Sequence, residues 1–372
     1  MGQLFLAPAL QFHHIVKSNG GVHPSRRKNL LPWIAKFVLF EPLRITEHIL
    51  FSKKIISHRI THPPLFILGH YRSGTTYLQR LLATDTDFGY QTIFYSALPE
   101  LMLGFEWILR PVLAACTRVS RAENKFHRIP FRWDFPGEED VALTSFGRRE
   151  ALHWGNLFPE KFSDYFERYV LFSTGEKDKE AWKKNYLHFL KKLSIASKGK
   201  PLILKSPPNT ARIPLLLELF PDAKFIHLYR DPLEVFQSSR NFWNIINRYH
   251  ALRPVSDEQI TELIFYSYNS MMRRYHETKH LIPRGNLLEI SYHDLMKNPL
   301  YYQRKIYEAF GFEFNEKKKR SAEKFVSNTS GYKPVEYHLP EEEKQILLKK
   351  GIEYFSVWNK TSGVPNKISV SP

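Results

Sequence analysis

"LFILGHYRSGTTYLQRLL", Leu65–Leu82, decides how the rest of the chain is read. Its first residues are apolar without a break, the pattern of a strand buried on both faces of a parallel sheet. Gly69 and Gly74 follow with four residues between them, the spacing of a loop whose backbone cradles phosphate. "TYLQRLL" then has helical spacing, so the stretch reads strand, glycine turn, helix. A Walker A loop ends in Lys and then Ser or Thr. Here Thr75 and Thr76 fill both places, and an arginine, Arg72, stands inside the loop. The anion cradle survives this change. A helix N-terminus offers unpaired N–H groups and a positive dipole end, and Gly74 lets the backbone approach an oxyanion closely. Ser73, Thr75 and Thr76 add hydroxyl donors. What is lost is the cation that reaches the outer phosphates of a triphosphate.

Three more β-rich runs stand beside the first, "PLFILG" (Pro64–Gly69). They are "PLILKS" (Pro201–Ser206), "KFIHLYR" (Lys224–Arg230) and "NLLEISY" (Asn286–Tyr292). A helical pattern follows each, which predicts right-handed βαβ units and an α/β fold: a P-loop-like parallel sheet flanked by helices. We read residues 1–372 as one domain. A helical extension covers 1–60 and the loop-bearing βα unit 64–92. A helical insertion, 93–200, forms much of a second-substrate pocket. Further βα units run over 201–310, and a helical segment over 311–372. The stretch "LLPWIAKFVLFEPLRITEHILFSKK" (Leu30–Lys54) is too charged to span a bilayer, with Lys36, Glu41, Arg44 and Glu47 interrupting it. It reads as a buried helix pair or, given Trp33 and basic flanks, as a helix lying on a membrane surface.

In an open parallel sheet, ligands bind outside the carboxyl ends of the strands. That rule selects His70–Thr76, Lys205–Asn209 and Arg230–Asp231, and it converges Arg72, Lys205 and Arg230 on one edge. After Arg230, Asp231 reads as a helix N-cap, Pro232 as N1 and Glu234 as N3. Ser238 lies about two turns inside that helix, where it and the Arg230 fork suit one anionic group. After Lys205, Pro207 and Pro208 make a rigid turn, and Asn209 is placed to cap the next helix. The third strand ends on Arg230 and not on a Walker-B Asp, which disfavours a metal-dependent triphosphatase.

Composition narrows the partners. Lys and Arg number 54 against 37 Asp and Glu, a net charge of +17 that favours anionic ligands. No Lys/Arg tract with interleaved aromatics has the scale of a nucleic-acid site, and "EKKKR" (Glu316–Arg320) reads as a solvated helix face. A single cysteine, Cys116, rules out an intrachain disulfide and a multi-cysteine metal site, and predicts an intracellular protein. No H-E-x-x-H occurs, and we expect no protein-held metal. The N-terminus lacks the charged start of a secretory signal.

These motifs together resemble the sulfotransferases that use 3′-phosphoadenosine 5′-phosphosulfate (PAPS). "RSGTTYL" after a strand, then "LILKSPPNTARI", then "FIHLYRDPLEVFQSSR" match in order and spacing from about Leu65 to Arg240. "GHYRSGTT", "PGEEDVAL", "YRDPLEVFQS" and "GYKP" are more similar to the bacterial-type sulfotransferases, a likeness covering the chain from about Phe40 onward. The resemblance implies that Arg72, Ser73, Gly74, Thr75 and Thr76 hold the 5′-phosphosulfate. It implies that Arg230 and Ser238 hold the 3′-phosphate, that Tyr77 stacks on adenine, and that Lys333 reaches the nucleotide's phosphates. Arg72 stands where the cytosolic enzymes carry Lys and many Golgi-type enzymes carry Arg. The implied reaction is metal-independent in-line transfer of a sulfuryl group to an acceptor hydroxyl. Arg72 and Lys205 would stabilise charge on the leaving phosphate, by analogy with phosphoryl transfer.

The resemblance departs at one point. The cytosolic enzymes place a catalytic His two residues beyond the second-strand Lys, and here that position is Pro207. The general base is therefore expected in "PGEED", with Glu139 favoured over Glu138 and Asp140, and with His70 as another candidate. The acceptor is expected to be a small-molecule, lipid or glycan hydroxyl. The location is expected to be cytoplasmic, with peripheral membrane contact and homo-oligomerisation left open. Two other readings stay open on residues alone: a P-loop kinase or NTPase, and a non-catalytic membrane-surface protein on a degenerate sulfotransferase fold.

Overall fold

The computed structural model describes residues 8–119, 123–124, 129–130, 132–146 and 150–329. For residues 9–10, 28–38, 119, 123–124 and 129–130 it describes the backbone alone. Five strands form one parallel sheet: β1 (Leu65–Leu68), β2 (Gly89–Tyr90), β3 (Leu202–Leu204), β4 (Lys224–Tyr229) and β5 (Leu287–Ser291), in the order β2-β3-β1-β4-β5. The four apolar runs singled out in the sequence are β1, β3, β4 and β5. The edge strand β2 is an addition; two residues are too few to show a period.

β1 is the hinge of this topology. Leu65 pairs with Ile203 on one side and Lys224 on the other. The chain lays β2 and β3 on one flank of β1, then crosses to place β4 and β5 on the other. The crevice at such a switch point, beyond the carboxyl ends of β1, β3 and β4, is where this architecture binds ligands. Every residue of β1 and β3 is buried, which explains their unbroken apolar runs. Alternate side chains serve opposite faces. Phe66 and Leu68 join a core with Trp154, Trp182 and Phe189, whereas Leu65 and Ile67 pack with Leu78, Leu81 and Ile306. The insertion thus supplies much of the filling on one face of the sheet, together with Phe12, Phe40 and Tyr275.

Seven helices matter below: α1 (Leu31–Ser57), α2 (Thr75–Leu82), α3 (Glu106–Val119), α4 (Glu139–Ser145), α5 (Glu176–Ala196), α6 (Pro232–Tyr249) and α7 (Glu316–Thr329). Where the sequence suggested a buried helix pair, α1 is one continuous helix with Pro42 inside it. Two of the charges that interrupt its sequence, Arg44 and Glu47, point into the protein. Glu47 is buried, pairs with Lys192 of α5 at 2.8 Å and accepts the amide of Gly104 at 3.0 Å. Arg44 pairs with Glu41 and Glu100, each at 3.0 Å. The side chain of Trp33 lies outside the described set. The "EKKKR" face of α7 is only partly solvated. Lys318 turns inward to Asp85 and Asp87, at 3.1 and 2.8 Å. No helix among the described residues is long and apolar enough to cross a membrane.

Candidate active site

The loop between β1 and α2 is shaped by three backbone conformations that side chains rarely adopt. Gly69 has φ 142°, Arg72 φ 70° and Gly74 φ 91°. Only Arg72 bears a Cβ there, and a non-glycine residue held at positive φ commonly marks a functional site. A Cβ on Gly74 would lie 2.3 Å from the ring of Tyr292, so glycine is required for space as well as for φ. Gly74 is the N-cap of α2, and it presents the first-turn amides of that helix to the crevice.

The loop is wired to the end of β4. Arg72 Nε donates to Ser238 Oγ of α6 at 2.8 Å, and Arg230 Nη1 donates to the Arg72 carbonyl at 3.2 Å. Arg230 also pairs with Glu234 at 2.6 Å and lies 4.4 Å above the Tyr292 ring. Asp231 caps α6 as its sequence implies, accepting the Leu233 amide at 2.7 Å, with Pro232 next. One small region thus holds Arg72, Arg230 and Ser238, and Tyr292 is the platform beneath it. Sequence reading passed over Tyr292. The strand-end rule would have found it, because it directly follows β5.

The end of β3 is wired to the acidic cluster. Lys205 Nζ is hydrogen-bonded to a Glu138 oxygen and lies 3.4 Å from Thr76 Oγ1. The three neighbouring acids then separate in role. Glu138 is partly exposed. Glu139 is fully buried: one oxygen accepts the Lys205 amide at 2.8 Å, the other Asn209 Nδ2 at 3.2 Å. Burial pushes its pKa up to about 8. Asp140 is fully buried as well and meets Arg212 through two bonds of 2.8 and 2.9 Å, with Ser206 Oγ donating at 2.6 Å. Burial raises the Asp140 pKa, but the Arg212 charge and hydrogen bonds outweigh it and leave a net lowering.

This geometry does not suit Glu139 as the base. Its oxygens face the interior and are occupied by the Lys205 amide and Asn209. Asp140 is equally committed. Asn209 does not cap the following helix either: its side chain is spent on Glu139, and Arg212 holds that N-cap position.

A small cavity of about 20 Å³ lies behind the loop, with Phe162, Trp243 and Ile264 as apolar wall. His70 and Tyr71 face it from the loop, and Ser239 from α6. His70 Nδ1 lies 2.9 Å from the Tyr71 carbonyl, so that nitrogen carries the proton and donates; Nε2 is left buried without a partner. Burial lowers the His70 pKa to about 4, which keeps the ring neutral. Tyr77 packs its ring on Phe325 of α7, 5.4 Å between centroids. Ser73 and Thr75 are buried in the loop. Lys333 lies outside the described residues. Among the described residues, no group of three or more His, Cys, Asp or Glu side chains is placed to hold a metal ion.

Comparison with known proteins identifies the family and the fold. The sequence profile of the sulfotransferase family matches residues 63–316. A protein of Mycobacterium tuberculosis named omega-hydroxy-beta-dihydromenaquinone-9 sulfotransferase is 26% identical over 333 residues, covering 90% of this chain and 84% of its own. The Mycobacterium bovis protein of the same name matches to the same extent. Among solved structures, the sulfotransferase STF9 of Mycobacterium avium superposes with a TM-score of 0.72 at 19% identity, covering 93% of this chain and 90% of the other. The sulfotransferase STF1 of M. tuberculosis gives 0.66 at 17%, covering 92% and 90%. At these identities the two structures establish the fold.

Proposed function

The chain belongs to the sulfotransferase family and transfers a sulfuryl group from PAPS to an acceptor hydroxyl; on that premise we propose how its residues divide the work and which alcohol they receive. The α2 amides, with Ser73, Thr75 and Thr76, hold the 5′-phosphosulfate. Arg230 and Ser238 hold the 3′-phosphate, and Tyr77 flanks the adenine. Arg72 bridges the two halves, because its side chain reaches Ser238 while its backbone belongs to the loop. Arg72 and Lys205 offset the charge that grows on the bridging oxygen as the sulfur–oxygen bond to the leaving phosphate breaks. Glu138 takes the acceptor's proton as the new bond forms. The carrying observation is the Lys205 amine, in contact with Glu138 and 3.4 Å from the loop hydroxyl of Thr76. One cation touches both the base and the sulfuryl cradle.

We propose an apolar, lipid-like alcohol as the acceptor class. Support comes from the printed name of the curated relatives, a sulfotransferase of a hydroxylated dihydromenaquinone. The test pairs binding with turnover. 3′-Phosphoadenosine 5′-phosphate without metal should raise the melting temperature more than ATP with Mg²⁺. Transfer to hydroxylated prenylquinones and long-chain alcohols should exceed transfer to sugars. Arg72→Ala should lower transfer by about 10²-fold or more with the fold intact. Stabilisation by ATP–Mg²⁺ alone, or undiminished transfer by the Arg72 variant, overturns the assignment.

A further inference from the structure

α1 buries Phe40 and Ile55 inward yet also carries large apolar side chains outward. Its ionic side chains Arg44 and Glu47 are buried and paired inside the protein. Its outward positions carry Leu39, Ile45, Ile49, Leu50 and Ile56, from 60% to 73% exposed. A helix of a water-soluble domain places these residues the other way. α3 repeats the pattern: Trp107 is 75% exposed, and Ile108, Pro111 and Val112 are exposed beside it. The two helices adjoin at Gly104. Its amide binds Glu47 of α1, and its carbonyl accepts the Trp107 indole N–H at 3.0 Å. Most of the large exposed apolar side chains among the described residues sit on these two helices.

Charge selects the occupant. Every acidic side chain of α1 and α3 is engaged: Glu41 by Arg44, Glu47 by Lys192, Glu106 by Arg110 and the Tyr95 hydroxyl. Cations are left on the outside. Lys53 and Lys54 stand exposed near the end of α1, and Lys191 donates to the Ile56 carbonyl there at 3.0 Å. Arg118 is exposed near the end of α3. A second copy of a chain of net charge +17 would bring like charge to like. A leaflet with anionic headgroups brings the opposite sign to the cations and a hydrocarbon boundary to the apolar faces. Trp107 has the chemistry of a residue that rests at that boundary.

We infer that the outward faces of α1 and α3 form a docking surface for an anionic lipid leaflet. The surface stands on its own geometry and is independent of the acceptor named above. The test uses the full chain and large vesicles of phosphatidylcholine, alone or with phosphatidylglycerol. Flotation should recover the protein with the anionic vesicles and little with the neutral ones, and high salt should weaken recovery. Ile49→Glu combined with Trp107→Ser should cut vesicle affinity about tenfold or more. Its melting temperature, and its stabilisation by 3′-phosphoadenosine 5′-phosphate, should match the parent. Lys53→Glu with Lys54→Glu should remove the preference for anionic lipid. No flotation of the parent, or equal flotation of the Ile49/Trp107 variant, overturns the inference. So does a dimer in light scattering that the same variant converts to monomer.

Discussion

Glu138 and Glu139 are chain neighbours with opposite surroundings, and the difference is the ground on which we propose Glu138 as the base. Glu138 is the N-cap residue of α4 and opens to the crevice at Lys205. Glu139 is one residue further, on the side of α4 that meets β3, where it holds the Lys205 backbone. We expect Glu138→Gln to keep the fold and lower kcat by about 10²–10⁴-fold, the range for a lost general base, with little change in nucleotide affinity. His70→Gln is the control. His70 also presents a neutral, unpartnered nitrogen, but to the cavity behind the loop and not to Lys205. Steady-state kinetics on both variants check the assignment. A large loss with His70→Gln and none with Glu138→Gln would move the base to the histidine.

Asp140, at the start of α4, and Arg212, beyond the end of β3, form a fully buried pair that ties α4 to the end of β3. Removing one partner leaves an unpaired buried charge, so Asp140→Asn should cost about 3–5 kcal/mol. The pH dependence has a definite sign. The Asp140 pKa is lowered from 3.8 in the folded state. Its contribution is therefore present above pH 3.8 and fades as pH falls through the lower, folded value. Melting curves should show the largest gap between parent and variant near neutrality and a narrowing gap below about pH 4. Equal stability at pH 7 would remove this tie from the account. At this same scale lies the limit of what the sequence shows. Local pattern was enough for β1, β3, β4, β5, the glycine loop and the Asp231 cap, because each is written in consecutive residues. The choice among Glu138, Glu139 and Asp140 was not, because it depends on which face of α4 meets β3. Nor was the inward turn of Arg44 and Glu47, whose partners Lys192 and Glu100 lie far along the chain. Charge in a sequence records composition; its direction is set by packing.

At the scale of the molecule, the insertion and the sheet share one core: Trp154 and Trp182 pack with Phe66 and Leu204. They should unfold together. Four of the seven tryptophans, Trp107, Trp133, Trp154 and Trp182, lie in the insertion and weight fluorescence toward it, whereas far-ultraviolet circular dichroism follows all helices and strands. The two signals should give coincident transitions, the mark of a single cooperative unit; an earlier fluorescence transition would show the insertion melting alone. The strand order has a further consequence, for biosynthesis. Among the described residues β1 pairs with β3 and β4, and neither exists when the ribosome first releases β1. At translation rates of roughly 5–20 residues per second, the strand "LFIL" waits on the order of ten seconds for its neighbours. During that interval a wholly apolar strand of the nascent chain has both edges unpaired and open to aggregation.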